Sequence, residues 1–333
     1  MKSSSAYVVL MIALSGLTLA AFAASLLVGP ADLGFAESLA GLLPGEPSLI
    51  SLVMQEIRLP RALLGLMIGV TLGLSGAVLQ GFLRNPLAEP GILGVSSAAA
   101  LGAVIALYTG LSALFPLALP LSGLAGAVIA VLLVRALAGA NGSTLTLILA
   151  GVAVSAFAGA MTTLALNLSP NPFAAMEIVF WMLGSLTDRS MTHVWLAGPF
   201  MVVGWAMLAV LARPLDALTL GSDAAATMGV DVGRLQAFAV LGTAASVGAA
   251  VSVSGAIGFV GLVVPHVLRP LVGSVPSRLL PASALGGAVV LLVADVLVRV
   301  IAPGRDLKLG VLTALVGAPF FLWLVYRSRR NDL

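Results

Sequence analysis

Few residues in this chain could do chemistry, and their types and spacing exclude most reactions. Cysteine is absent, so there is no disulfide, thiolate metal site or cysteine nucleophile. The two histidines, His193 and His266, are far apart in sequence, too few for a histidine metal cage. His266 follows Pro265 and reads as a structural residue; His193 begins an apolar run and reads as interfacial. A membrane-embedded hydrolase would need a Ser–His, paired-Asp or His–Glu–His constellation at depth. The one aspartate well inside an apolar run is Asp295. No G-x-x-x-x-G-K-[ST] phosphate loop occurs. The sequence therefore offers no catalytic, cofactor-binding or metal-binding residue, and ATP, if it drives this protein, binds to another polypeptide. What remains is charge in unusual places. Asp295 and Arg299 are four residues apart on one helix face and can neutralise each other. An unpaired charge at mid-bilayer costs roughly 2.5–3.5 kcal/mol on insertion scales. Arg58 and Arg61 form a paired basic turn, and guanidinium forks match carboxylates well.

The elements that carry these residues are membrane helices. Of 333 residues 60% are hydrophobic and 9% charged, with mean hydropathy +1.15, against about 25% charged in soluble domains. The net charge of +3 comes from scattered arginines, which does not suggest nucleic acid. A span needs about 20 mostly apolar residues, and ten are readable: roughly 6–28, 60–80, 93–110, 117–138, 144–167, 193–212, 235–256, 258–272, 279–301 and 309–327. The eighth is short and carries Pro265, which predicts a broken or partly re-entrant helix. Ala21-Phe22-Ala23 resembles a signal-peptidase site, but the run before it exceeds an ordinary h-region, and its removal would put the Arg327, Arg329, Arg330 tail outside. With both termini cytoplasmic, Lys2, Arg84, Arg135, Arg213, Arg234, Arg269, Arg278 and the tail arginines lie inside. Arg58, Arg61, Arg189, Arg299, Arg305 and Lys308 then lie outside with most of the acids, Asp32, Glu37, Glu46, Glu56, Glu177, Asp188 and Asp306. That bias supports the orientation.

The stretch from Arg58 to Gly94 organises the chain. An apolar run to Leu79 leads into Arg84-Asn85-Pro86-Leu87-Ala88-Glu89-Pro90-Gly91, where two prolines end one helix before another starts near Leu93. Ser75-Gly76-Ala77-Val78 recurs 179 residues later as Ser254-Gly255-Ala256-Ile257, with Pro86 falling on Pro265. Five spans per half is odd, so the repeat runs inverted, a pattern that points to a transport pathway.

Two further features bear on function. The loop from Arg213 to Gln236 predicts a short helix over Ala217–Thr227 with Asp223 near its start, broken at Gly229, and a second turn from Asp231; it is either a docking knob for a soluble partner or an amphipathic connector. The fifth span places Gly151, Ser155 and Gly159 at four-residue spacing, and the tenth carries Gly310, Thr313, Ala314 and Gly317, stripes that allow close helix approach.

These motifs resemble the iron-complex/cobalamin permease family of ABC importers. The resemblance rests on Arg58-Leu59-Pro60-Arg61, on Ser75-Gly76-Ala77 with Gln80, and on the Asn85-to-Gly94 loop. It continues through Leu220-Gly221, Met228-Gly229-Val230, the run Gly255 to His266, Ala294-Asp295 and Gly317-Ala318-Pro319-Phe320, in family order to about Tyr326. It implies an all-α membrane protein with about ten helices, the type II ABC importer permease fold, forming a single permease domain over residues 1–333. The implied partners are a second permease copy in a homodimer, two ATP-binding subunits, a periplasmic or surface substrate-binding protein, and lipids of the bacterial inner membrane. Carried over by position, Ala217, Leu220, Gly221, Asp223, Ala224, Ala225, Met228, Gly229 and Val230 belong to the coupling loop, 213–234, that meets the ATPase. Arg58, Arg61 and, less directly, Arg299 are expected to meet acids of the binding protein, with headgroup anchoring the alternative for Arg58 and Arg61 and neutralisation of Asp295 the alternative for Arg299. Ser143 and Thr144 match the inner gate, and Gly151, Ser155, Gly159, Thr313 and Gly317 the pathway. The implied cargo is a ferric siderophore, haem or cobalamin, with ferric siderophores the commonest choice in the family. An ion-coupled secondary transporter is the competing class, but it should carry ionisable groups in several spans.

Overall fold

The computed structural model describes residues 4–29, 31, 33–43, 48–115, 117–139, 143–169, 172–302 and 307–331. Lys2, Asp32, Gly45, Glu46, Pro47, Arg305 and Asp306, and the side chains of Arg327, Arg329 and Arg330, lie outside the described residues. Every regular element among the described residues is helical. The ten expected spans appear as α1 (Ser4–Leu27), α2 (Leu59–Phe82), α3 (Val95–Tyr108), α4 (Ala118–Ala138), α5 (Thr144–Asn167), α6 (Met191–Ala209), α7 (Val232–Ser254), α8 (Val260–Val272), α9 (Pro276–Ile301) and α10 (Leu309–Asn331). Seven helices among the described residues are long and apolar enough to cross a membrane; α3, α8 and α10 supply shorter apolar stretches.

α2 is the axis of the bundle. It is buried around nearly its whole circumference, as expected of a helix apolar on every face. Backbone meets backbone where it crosses α9: a Cβ on Gly73 would overlap the Ser283 carbonyl, and one on Gly287 would overlap that of Gly69. α1 starts beside the first turn of α9, where Tyr7 stacks on the Arg278 guanidinium at 5.3 Å. It ends beside Arg58 and Arg299. The bundle thus has one end with Arg278 and the start of α9, and another with Arg58, Arg61 and Arg299.

The two halves share an element order: long helix, non-helical break, short helix, two long helices. α2 finishes near Leu215, at the end of the bundle where α7 starts, so the halves run in opposite senses. The tetrapeptide alignment is out of register with this relation. Ser75–Val78 lies inside α2, whereas Ser254 ends α7 and Gly255 to Ile257 form the break, because Gly255 (φ +72°) stops that helix early.

Three local expectations are corrected. Arg58-Leu59-Pro60-Arg61 does not open α2, since the helix already runs from Leu49 through a π-helical turn, Val53–Arg58, which accommodates Pro60. α8 is a continuous 13-residue helix in spite of Pro265 and Pro270; the break lies before it, at Gly255–Phe259. Ala217–Thr227 is not one helix. It is two, Ala212–Leu218 and Ser222–Thr227, separated at Gly221 (φ +108°). Helix Pro172–Met182, between α5 and α6, was not expected.

Candidate functional site

The charged residues at the Arg58 end form one internal network. Asp295, 1% exposed, accepts from Arg61 Nη2 at 2.8 Å and Nε at 3.0 Å on one oxygen, and from Arg299 Nη2 at 2.7 Å on the other. Arg58, 3% exposed, donates to the Leu26, Leu27 and Ala31 carbonyls, and Arg299 also donates to Ser25 and Val28. Two guanidiniums face one carboxylate, and carbonyls at and just beyond the end of α1, its negative dipole end, accept from Arg58 and Arg299. Gly29 leaves room for this, because a Cβ there would stand 3.0 Å from Arg58 Nε. The docking role of Arg58, Arg61 and Arg299 stays an expectation: within this chain Arg61 and Arg299 hold Asp295, and Arg58 and Arg299 donate to carbonyls at the end of α1. The expected pairing of Asp295 with Arg299 is present, with Arg61 as an unforeseen third member.

The helix break before α8 meets the proline loop after α2. Glu89 Oε1 accepts the Phe259 N–H at 3.2 Å, and Phe259 takes a left-handed φ of +67° as it starts α8. A carboxylate at a helix start is favoured by the dipole, while burial pushes the Glu89 carboxyl up and the Phe259 N–H partly offsets it. Gln80 bridges the same region, donating to the Leu262 carbonyl at 3.2 Å and accepting from Arg269 Nη2 at 2.7 Å. Near the opposite side of the break, Ser185 N donates to the Ser254 carbonyl at 2.7 Å and Gly310 N to Gly184 at 3.2 Å. Arg189 donates to the Val253 carbonyl, and burial lowers its pKa against the raising effect of Asp188. Glycine is needed at 184, 255 and 310, where a Cβ would overlap a neighbouring carbonyl.

The small-residue stripes of α5 and α10 point in different directions. Gly151 packs against the Ile92 carbonyl, Thr313 donates to Gly310 at 3.1 Å, and Gly317 packs on the Phe259 ring. Gly159 meets nothing within 4 Å, and Ser155 beside it is half-exposed. Ser143 caps α5 by accepting from Thr146 N at 3.2 Å; Thr144 is exposed at the same helix start. His193 Nδ1 pairs with Ser190, and the His266 ring packs edge-on against Phe320. No cluster of three metal-ligating side chains occurs among the described residues.

The loop between α6 and α7 is built as a knob. Leu215 and Leu218 bury its first helix against the bundle, with Leu215 3.5 Å from where a Gly81 Cβ would stand. Ala225 anchors its second helix, whose first turn carries Asp223 and the exposed end of which leads to Met228 and Gly229 (φ +85°). Leu220 and Met228 are left 68% and 63% exposed. Asp231 then caps α7, accepting from Arg234 N at 2.9 Å, with Val230 half-buried before it. Two large apolar side chains are thus held out at a bundle end by two short helices. Glu89, Gln80, Arg269 and Asp216, which tie separate elements together by hydrogen bonds, were not singled out by the sequence, although Glu89 and Gln80 lie in its motifs.

Comparison with known proteins agrees with this architecture. The FecCD transport family model matches residues 17–327. The cobalamin import system permease protein BtuC of Halobacterium salinarum is 44% identical over 84% of this chain and 75% of its own length. The Fe(3+) dicitrate transport system permease protein FecD of Escherichia coli is 42% identical over 83% of this chain and 86% of its own. A solved inward-facing structure, of a transporter described as of the metal-chelate ABC type, superposes with TM-score 0.84 at 32% identity, covering 95% of this chain and 98% of that one. These relatives are described as permease proteins of import and transport systems and as an ABC transporter, and the chain belongs to the FecCD transport family of ABC importer permeases.

Proposed function

We propose that this chain is the permease subunit of an ATP-driven importer that brings a ferric siderophore across the bacterial inner membrane, with both termini cytoplasmic. The single observation that carries the importer reading is the α6–α7 knob, which holds Leu220 and Met228 out at one end of a bundle matched to permeases over nearly its whole length. In this reading residues 213–234, from Ala217 to Val230 above all, fill a cleft of an ATPase subunit. A second permease copy faces α5 and α10. A binding protein delivers cargo at the opposite end, near helix Pro172–Met182. ATP binding closes the ATPase pair, and the permease halves rock between outward- and inward-open states as rigid bodies. Ser155 and Gly159, on the open face of α5, line the pathway, and Ser143 and Thr144 stand at its inner mouth. A pathway of small uncharged side chains suits passage of a large chelate better than tight binding.

The likeness to an iron-citrate permease and to a metal-chelate transporter supports an iron complex. A second reading, a corrinoid, is favoured by the 44% identical cobalamin permease; haem is the third cargo of the same architecture. The test is purification from the native host in mild detergent, with mass spectrometry of what accompanies the chain. The expected result is a P-loop ATPase, lost when residues 217–231 are replaced by a Gly/Ser linker. The co-transcribed binding protein is then titrated with ferric siderophores, cyanocobalamin and haemin. Purification of the chain alone, with solute uptake in ATP-free liposomes, would overturn the importer reading in favour of an ion-coupled carrier.

A further inference from the structure

We propose that Asp216 is a positioning residue for coupling, a clamp that makes the knob and α9 one mechanical body. The observation is a cap supplied from elsewhere in the chain. α9 begins with Val275 at its N-cap, which has no side-chain oxygen, and with Pro276, which has no N–H. The Ser277 N–H is therefore a donor that the helix's own start leaves without a side-chain cap. Asp216, 61 residues earlier on helix Ala212–Leu218, fills the place: Oδ1 accepts from Ser277 N at 2.8 Å. A carboxylate there also complements the helix dipole.

The neighbouring contacts make the clamp rigid. Leu215, on the same short helix, is fully buried against the end of α2 at Gly81. α8 turns into α9 through Gly273 and Ser274, both at positive φ, and Arg269 of α8 holds Gln80 of α2. At the far end of the same helix pair, Asp295 of α9 is bidentate to Arg61 of α2. Between the two ends, Gly69, Gly73, Ser283 and Gly287 bring the backbones of α2 and α9 into contact. Displacement of helix Ala212–Leu218 is thereby imposed on α2 and α9 together, over their full length. The second short helix has no such tie: among the described residues the Asp223 carboxylate bonds its neighbour Ser222 and reaches no other helix. Force enters the bundle at Asp216.

This inference rests on the permease reading above, and the test separates the two. The full chain is purified with its ATPase, and amide hydrogen exchange is compared without nucleotide and with ATP plus vanadate. In the wild type, nucleotide is expected to change exchange in residues 212–231 and also in 295–301, at the far end of α9. Asp216→Ala should keep the nucleotide-dependent change in residues 217–231, yet reduce the change at 295–301 by about tenfold, the scale of one charge-assisted hydrogen bond. Asp216→Asn keeps an acceptor oxygen and should restore it. An unchanged response in Asp216→Ala, an equal loss in Asp216→Asn, or a wild type that transmits nothing to 295–301 would overturn it. A wild-type chain that brings down no ATPase would sink the permease reading instead.

Discussion

The Glu89 carboxylate reaches across from the loop after α2 to accept the Phe259 N–H at the start of α8, joining the two helix breaks of the chain. Burial raises the Glu89 pKa, and the Phe259 N–H only partly opposes this. The folded state then binds this proton more tightly than the unfolded state, so the contribution of Glu89 to stability is fully present below its unfolded pKa. It is lost as pH rises through the elevated folded value. Glu89→Gln keeps an acceptor and removes the titration. Its unfolding midpoint in detergent should lose the decline that the wild type shows as pH rises through and above the ordinary carboxylate range. Glu89→Ala leaves the Phe259 N–H unsatisfied and should cost about 1–3 kcal/mol at every pH. Parallel pH profiles for the Glu89→Gln variant and the wild type would show that this carboxyl titrates as it does in the unfolded chain.

Asp295 holds two guanidiniums, so its loss should be the most damaging single change at that end of the bundle. Asp295→Asn leaves Arg61 and Arg299 facing each other with no counter-charge, and removal of one partner from a buried ion pair costs about 3–5 kcal/mol. Arg58→Lys replaces a fork spread over three carbonyls by a single ammonium and should cost less, about 1–2 kcal/mol. Thermal unfolding of each variant ranks them. Because these side chains are turned inward, substitutions at all three arginines should act on stability first; a fall in binding-protein affinity with an unchanged melting temperature would show that they do meet a partner.

Glycine separates packing from pathway. Gly73→Ala puts a methyl group on the Ser283 carbonyl and must push α2 off α9, an overpacking cost of about 1–3 kcal/mol or more. Gly159→Ala meets nothing and should leave stability level or raise it by up to about 1 kcal/mol, the helix-propensity gain. If α5 faces a second copy across the pathway, Gly159→Ala should nevertheless lower uptake or the dimer fraction. A variant that is more stable and wholly unaffected in both would remove Gly159 from the pathway.

The spans were legible because twenty apolar residues in a row have few other uses, and starts such as Ser143 and Asp231 carry side chains that cap the next helix. Pairing across the fold was not legible. Arg61 finds Asp295 at a sequence separation of 234, and nothing local distinguishes that outcome from the i, i+4 pair with Arg299 alone. The π turn at Val53–Arg58 was hidden because Pro60 reads as a helix start, although Ser48 carries a local cap for the helix at Leu49, accepting from Ser51 N at 3.1 Å. Gly221 did give a local signal for the split in the knob, but good helix formers on both sides masked it.

The knob itself offers the most direct check on the partner. Leu220 and Met228 flank helix Ser222–Thr227 and are among the most exposed large apolar side chains of the α6–α7 loop, while Ala225 between them is fully buried. Leu220→Glu and Met228→Glu change only solvent-facing atoms, so folding should move by no more than about 0.5 kcal/mol. Each charge would have to be desolvated in a protein cleft, and interface anchors of this kind cost about 2 kcal/mol or more when removed. Co-purification of the ATPase should therefore fall by roughly thirtyfold in affinity with an unchanged melting temperature. Ala225→Glu should behave oppositely, unfolding the knob and destabilising the chain. Retention of the ATPase by the Leu220→Glu, Met228→Glu double variant would place the contact elsewhere on that end of the bundle.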